Sequence, residues 1–305
     1  MTDNKLRGEY LMFKKEQHDE GREFNFTAQD FARVRHLIYR HAGISLSEAK
    51  SDMVYSRIGR RLRVLGATSF KQYLDNLESQ NDTAEWEAFT NALTTNLTSF
   101  FREEHHFPIL ADHLLTLKKP IRIWCSAAST GEEPYTIAMT ACEAFGSLNP
   151  PVEIIATDID TNVLSTASRG IYPYERVSKL SDARRKRFFL KGTGPNEGSV
   201  AVKKELKEMI TFSQLNLLDE NWALQEPFDA IFCRNVMIYF DKPTQSKILS
   251  RFVPLMKSHA LLFAGHSENF LYVSDAFHLR GKTVYTLGDS SHVKRSNNLI
   301  KERSL

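Results

Sequence analysis

The sequence predicts an α/β protein: a Rossmann-like, mostly parallel sheet behind an N-terminal helical domain, with a small antiparallel β subdomain inserted late in the chain. Three observations carry this. Residues 121–139 read as a strand, a small-residue loop and a helix start. From residue 152 onward, β-branched and aromatic runs alternate with helical patterns, the rhythm of βα units. Residues 24–95 instead repeat their apolar side chains at helical spacing throughout.

The chain has 305 residues, enough for two domains and a sizeable core. Hydrophobic residues make up 42% and charged residues 25%, ordinary values for a soluble globular protein, and the formal net charge is only +3. The cysteines, Cys125, Cys142 and Cys233, lie far apart in apolar segments, so buried thiols are expected rather than a disulfide or metal site. The N-terminal stretch has no apolar core of signal-peptide length, and no apolar run approaches a membrane span, so a cytoplasmic protein without membrane insertion is expected.

Residues 1–23 are polar and without period, and are read as a disordered tail. In the helical domain, 24–95, Thr27 caps a helix carrying Phe31, Val34, Leu37 and Ile38, which Gly43 ends. A second helix begins near Ser47 and runs to Gly66, with Val54, Ile58 and Leu62 on one face. Arg57, Arg60, Arg61 and Arg63 lie on its other side with few acids in the same helix, so a basic face for an acidic partner is expected. Ser69 caps a third helix, and a polar break, Ser79–Asp82, precedes a fourth with Trp86, Phe89 and Leu93.

Residues 94–103, TTNLTSFFRE, offer Asn96 and Thr98 as hydrogen-bonding groups and Arg102 for a carboxylate; as plain structure they are a capped helix start with Phe anchors. His105 and His106 are adjacent rather than four apart, so they are read as surface or cap residues and not as a metal pair.

Ile121 to Ala128 is the central buried strand, turning at Ser129, Thr130 and Gly131. Thr130 is the expected N-cap of a helix that opens on Glu132, Glu133 and Pro134. Such a loop at the carboxyl end of a sheet strand is where α/β folds bind nucleotide-like ligands. With one Gly and two acids it would receive a pyrophosphate poorly and a cationic, ribose-bearing ligand well, S-adenosylmethionine (SAM) being the obvious one. On local shape alone an ordinary βα turn is an equal alternative. Val152 to Asp158 is a second strand ending in an acid spaced for ribose, and Asp160 caps the helix after it.

Residues 171–210 interrupt the rhythm with a basic helix, 181–190, a Gly192–Gly198 turn and short strand-like runs at 188–190 and 199–203. An exposed edge of such an insertion can accept a peptide as an added strand; a purely decorative insertion is the alternative. The sheet resumes at 209–217 and at Phe228–Cys233, where Arg234 and Asn235 end an apolar run and so require partners. Pro243 opens a helix, 259–264 is a strand, and 277–287 a terminal hairpin; a metal reading of His266 and Glu268 is weak. Beyond Gly288, residues 289–305 are read as a disordered tail.

These pieces resemble the chemotaxis receptor methyltransferases, the CheR family. The matching runs are NLTSFFRE (96–103), ASTGEEPYTIAM (128–139), ATDID (156–160), GTGPNEG (192–198), FDAIFCRNVMIYF (228–240) and LLFAGHSENF (261–270), across about residues 24–288. The resemblance implies a class I SAM-dependent methyltransferase sheet over 96–288, with the β subdomain at about 171–210. It implies a protein-glutamate O-methyltransferase that leaves S-adenosylhomocysteine and needs no metal. Its ligand contacts would fall on Asn96, Thr98, Arg102, Glu133, Asp158, Asn216, Leu217, Arg234 and Asn235, with Glu132 a close competitor of Glu133. The implied partners are the cytoplasmic domains of methyl-accepting receptors. Their acidic helices would dock on the basic domain, and where a receptor has a tail peptide it would add to the β subdomain. A monomer with no nucleic-acid partner is expected.

A glutamate carboxylate, with an ordinary pKa of about 4.3, is already ionised at neutral pH, so methyl transfer to it needs alignment rather than a general base. Arg102 is the expected orienting group for carboxylate or cofactor, and Tyr239 the hydroxyl beside the reacting centre. A non-catalytic SAM-binding adaptor and a nucleic-acid methyltransferase are the alternatives. The Asn149-Pro150-Pro151 turn precedes Val152 instead of an aromatic, which argues against base-amino chemistry.

Overall fold

A computed structural model describes residues 22–80, 82–224 and 227–288, and the chain divides into two compact units. The first comprises the residues up to Leu37 together with Leu46–Leu93; the second comprises Ile38–Ser45 and the chain from Thr94. The expected tails, 1–23 and 289–305, lie outside the described residues apart from Arg22 and Glu23, as does Asn81 of the polar break.

The first unit is built from α1 (Ala28–Ala42, up to Leu37), α2 (Ser51–Leu65), α3 (Phe70–Ser79) and α4 (Thr83–Leu93). Thr27 and Asp30 form a reciprocal cap: Thr27 Oγ1 accepts from the Asp30 amide at 3.1 Å, and Asp30 Oδ2 from the Thr27 amide at 2.9 Å. Ser69 caps α3 as expected, and Gly66 ends α2 in the left-handed region at φ 64°. Phe31, Val34, Val54, Ile58, Leu62, Phe70, Leu74 and Phe89 form the core. The start near Ser47 is a single 3-10 turn, Glu48–Lys50, before α2 proper.

The arginine row of α2 differs from its expected form. Arg61 is paired with Glu85 of α4, Arg63 with Glu23 at 2.7 Å, and Arg57 donates to Ala92 O at 3.2 Å. The acids missing from the helix itself are supplied by other segments of the same unit. Arg60 is exposed and makes no ion pair among the described residues.

The second unit is a seven-stranded sheet. Its strands are β1 (Ile121–Cys125), β2 (Val152–Asp158), β6 (Ile210–Gln214), β7 (Phe228–Cys233), β8 (Met256–Ala264), β9 (Phe277–Gly281) and β10 (Val284–Leu287), in the order β6-β2-β1-β7-β8-β10-β9. The first five run parallel and the hairpin β9–β10 is antiparallel. Every residue of β7 is buried, as a strand covered on both faces requires. Successive side chains feed opposite layers: Ile123 and Cys125 join one apolar cluster, Trp124 the other. Cys125, the last residue of β1, pairs with both Ala156 and Phe232; β2 runs two residues further and β7 one. Around the sheet lie α5 (His106–Thr116), α6 (Glu132–Ala144), α7 (Thr161–Arg169) and α10 (Lys242–Phe252).

The insertion is a separate three-stranded antiparallel sheet, β3 (Ile171–Pro173), β4 (Phe189–Lys191) and β5 (Ser199–Val202), in the order β3-β5-β4. It also carries α8 (Asp182–Phe188) and the one-turn α9 (Lys204–Glu208). Gly192 is required in its turn, since a Cβ there would lie 1.9 Å from Asn196 O. No helix among the described residues is long and apolar enough to cross a membrane.

Candidate functional site

The site lies at the carboxyl ends of β1, β2, β7 and β8. After β1 the chain stays paired on both sides: Ser126 N–H donates to Phe232 O at 2.9 Å and Ala128 N–H to Thr157 O at 2.8 Å. It then turns through Ser129 at φ 48° and Gly131 at φ 99°. Gly131, not Thr130, is the N-cap of α6; the Thr130 hydroxyl instead donates to Glu132 at 2.6 Å. That correction has a plain cause. A Cβ on residue 131 would come within 2.7 Å of the Tyr172 hydroxyl and 2.8 Å of Ala167, so only glycine passes beneath α7.

Asp158, last residue of β2, is 8% exposed. Its carboxylate accepts from the Ser129 amide at 2.8 Å and the Asp160 amide at 3.0 Å. Burial nevertheless pushes its pKa up to about 6. Asp160 caps α7 as expected and does more: its Oδ2 accepts from Thr94 Oγ1 and from Asn96 Nδ2, each at 2.8 Å. Asn96 O in turn accepts from Ser129 Oγ at 3.1 Å. Asn96, Ser129, Asp158 and Asp160 are thus one network, with Thr98 half-buried two residues on.

The two acids in the first turn of α6 separate. Glu132 is fully buried and paired with Arg176, whose Nε lies 2.9 Å from Oε1. Glu133 turns toward the strand ends: Arg234 Nη1 donates to its Oε2 at 2.8 Å, and the Cys125 thiol lies 3.4 Å from Oε1. Burial outweighs the Arg234 charge and raises the Glu133 pKa. Arg234, 4% exposed, also pairs with Glu103 at 3.4 Å and donates to the Arg102 carbonyl. Its partners are what the polar pair ending β7 required. Burial alone would raise Glu103; the Arg234 charge, with His266 and Asn235, more than reverses this and holds it at about 2. The Arg102 side chain donates to Leu97 O at 2.8 Å.

Asn235 stands at φ 59° and donates from Nδ2 to Glu103 at 3.2 Å. Glu268, 4% exposed, sits beneath it. Its carboxylate accepts the amides of Gly265 at 2.6 Å, Asn235 at 2.9 Å and Met237 at 2.8 Å. A Cβ at Gly265 would fall 2.4 Å from Asn235 Nδ2, so the loops after β7 and β8 touch backbone to side chain. Of the six non-glycine residues with positive φ among those described, Phe101, Glu103, Ser129 and Asn235 belong to this site, where backbone strain is commonly kept for function.

Asn216, Leu217 and Tyr239 form a second group, joined to the first where Leu215 N–H donates to Asp158 O at 3.0 Å. Residues 38–45 brace it. Asn216 Nδ2 donates to His41 O at 2.9 Å, Ser45 N–H to Tyr239 O at 2.8 Å, and the Tyr39 hydroxyl to Asp241 at 2.6 Å. Gly43 at φ 69° leaves room for Leu218 and Phe240, whose side chains a Cβ would approach to 3.0–3.1 Å. Leu217 is buried and Tyr239 half-buried.

His106 corrects an expectation. It is fully buried, its Nε2 2.8 Å from Lys282 O, and burial, helped by Arg234, lowers its pKa to about 4. Helix α5 turns this face onto the sheet, and adjacency in sequence gave no sign of that. His105 stays half-buried. The Glu268 carboxylate is occupied by amides, which leaves the metal reading of His266 and Glu268 without a free ligand there. Glu103, Asp160, Arg176 and the 38–45 brace are not legible as site residues in the sequence, and Glu268 is so only as a weak metal ligand. For Asp160 and Glu268 the only signal was an acid beside a small or capping residue.

The donor set suits a cationic ligand with vicinal hydroxyls. Asp158 and Glu133, 8% and 9% exposed, are buried and held by protein donors.

Residues 96–286 match the family model described as CheR methyltransferase, SAM binding domain, and residues 29–94 the CheR methyltransferase, all-alpha domain. The chain is 53% identical over 267 residues to chemotaxis protein methyltransferase 2 of Pseudomonas aeruginosa, covering 87% of this chain and 95% of that protein. It is 56% identical over 257 residues to the chemotaxis protein methyltransferase of Klebsiella aerogenes (84% and 89% covered) and 54% identical to that of Escherichia coli (84% and 90%).

Proposed function

The chain belongs to the CheR methyltransferase family, and from that premise we propose that it transfers the methyl group of SAM to glutamate side chains of chemotaxis receptors. The observation that carries this reading is the pair of loop-end carboxylates, Glu133 and Asp158, at the carboxyl ends of β1 and β2. Asp158 would take the ribose hydroxyls. Glu133 would face the ammonium or a hydroxyl, since Glu132 is committed to Arg176. Asn96, Thr98, Arg102, Asn216, Leu217 and Asn235 would complete the contacts, and Arg234 would act chiefly by holding Glu133.

SAM, when bound, supplies a methyl group already activated on a sulfonium. The protein's own task is to hold an ionised glutamate beside it. The Arg102 guanidinium and the Tyr239 hydroxyl orient that carboxylate, and no proton needs to be moved because the acid is ionised at neutral pH. Residues 24–95 form the docking domain for acidic receptor helices, with Arg60 the arginine of the row left for a partner. A receptor tail peptide adds to the β subdomain, whose outer strands β3 and β4 carry exposed Ile171 and Leu190. The protein works as a cytoplasmic monomer, and 96–288 is its catalytic domain.

The test is transfer of labelled methyl from SAM to receptor-rich membranes, with nucleic acid as the parallel acceptor. Base-labile label on a receptor-sized protein is expected. Label on nucleic acid would replace the substrate, and SAM binding without transfer would bring forward a non-catalytic adaptor.

A further inference from the structure

Of the two acids in the first turn of α6, Glu132 has no part in the cofactor reading, yet its side chain is fully buried. A buried carboxylate needs compensating donors or a cation, and this one receives a cation from the β subdomain. Arg176, in the 3-10 turn Tyr174–Val177 directly after β3, places Nε 2.9 Å from Glu132 Oε1 and also donates through Nη2. Four residues earlier, the Tyr172 hydroxyl donates to Thr130 O at 2.7 Å. That hydroxyl is the atom a Cβ on residue 131 would strike at 2.7 Å. The Thr130 hydroxyl closes the ring by donating to Glu132. One strand and one turn of the insertion therefore grip three residues of the β1–α6 loop: Thr130, Gly131 and Glu132. The next residue is Glu133.

We propose that Arg176, with Tyr172, is a positioning residue for the cofactor loop, so that the β subdomain is a working part of the SAM site and not only an appendage beside it. The proposal rests on the reading that Glu133 and Asp158 hold SAM. Each acid at the start of α6 has its own arginine: Arg234 from the end of β7 holds Glu133, and Arg176 from the insertion holds Glu132. Without Arg176, Glu132 keeps the Thr130 hydroxyl but is a buried charge with no cation, next in sequence to a second buried carboxylate. Turning outward to water relieves it, and the first turn of α6 moves with it. Side chains shaped to a ligand lose much of their effect when displaced by about an ångström.

The experiment measures SAM affinity, KM for SAM, kcat and melting temperature for Arg176→Ala, Arg176→Lys, Glu132→Gln, Tyr172→Phe and the double variant Arg176→Ala/Glu132→Gln. Arg176→Ala is expected to weaken SAM binding by about 10-fold or more while kcat at saturating SAM stays within about 3-fold, with Arg176→Lys intermediate. The double variant is expected to recover to within about 3-fold of Glu132→Gln, because removing the charge removes the need for the arginine. Tyr172→Phe, which loses one hydroxyl, is expected to bind SAM several-fold more weakly, and it stands in should Arg176→Ala fail to fold. Unchanged SAM affinity in Arg176→Ala or Tyr172→Phe overturns the proposal, as does a double variant no better than Arg176→Ala. Failure of the unaltered protein to bind SAM would instead overturn the cofactor reading beneath it.

Discussion

Replacing Arg234 by methionine removes the arginine paired with both Glu133 and Glu103. The Arg234 side chain is 1% exposed, and those of Glu133 and Glu103 are 11% and 9% exposed. Removing one partner of such a pair leaves an uncompensated charge, at a cost of about 3–5 kcal/mol. Glu103 gives a second route to the number. Its pKa falls from 4.5 to about 2 against the pull of burial. At roughly 1.4 kcal/mol per unit the whole shift corresponds to about 3.5 kcal/mol; with part owed to His266 and Asn235 and part screened by solvent, roughly 1–3 kcal/mol falls to Arg234. At roughly 2–4 °C per kcal/mol, Arg234→Met should lower the melting temperature of the SAM-binding unit by roughly 6–20 °C. The pH dependence follows from the sign. A depressed acid stabilises the fold above its unfolded pKa and loses that stabilisation as pH falls toward its folded one. The unfolded states cancel in the comparison, so the gap between the natural protein and the variant should begin to narrow where the unpaired acids of the variant take up protons, above 4.5 because burial raises them, and go on narrowing as pH falls toward about 2. Calorimetric melts across that range, with methyl transfer followed in parallel, make the test. A loss below about 1 kcal/mol at neutral pH, or a gap that widens in acid, would refute the reasoning.

Other expectations follow from the same network. Asp158, with its pKa raised to about 6, should be ionised to accept ribose hydroxyls. SAM affinity should weaken as pH falls below about 6, and Asp158→Asn should bind weakly and lose that pH dependence in equilibrium titrations. Glu268→Gln leaves one acceptor oxygen for three amides. It should cost about 1–3 kcal/mol in chemical denaturation and loosen the loop holding Arg234 and Asn235, visible as a higher KM for SAM. Gly43→Ala puts a side chain at φ 69° against Leu218 and Phe240. A loss of about 1–2 kcal/mol is expected, with reduced SAM affinity if the brace on Asn216 is disturbed.

The parts of the fold legible in sequence were those with a local signature. The β1 loop, the acid ending β2, the polar pair ending β7 and the final hairpin each combine a period with a punctuating residue. Arg234 was marked as needing a partner, but that the partners are Glu133 and Glu103 depends on strands adjacent in space and distant in sequence. Glu132 and Glu133 could not be told apart locally, because the choice is made by Arg176 and Arg234, which lie 44 and 101 residues away. Buried organisers such as Asp160 and Glu268 sit in polar loops and have the composition of solvated ones. For Arg61 and Arg63 of α2 the counter-charges are likewise not legible within the helix, since Glu85 and Glu23 lie in other segments.

The central claim is that a glutamate carboxylate of a receptor is the methyl acceptor. Peptide mass spectrometry of receptor incubated with this protein and SAM tests it most directly. The account expects the mass of one added methylene on peptides at glutamate positions, lost on mild alkaline treatment and absent without SAM. A methyl group that survives alkali, or one carried by a residue other than glutamate, would contradict it.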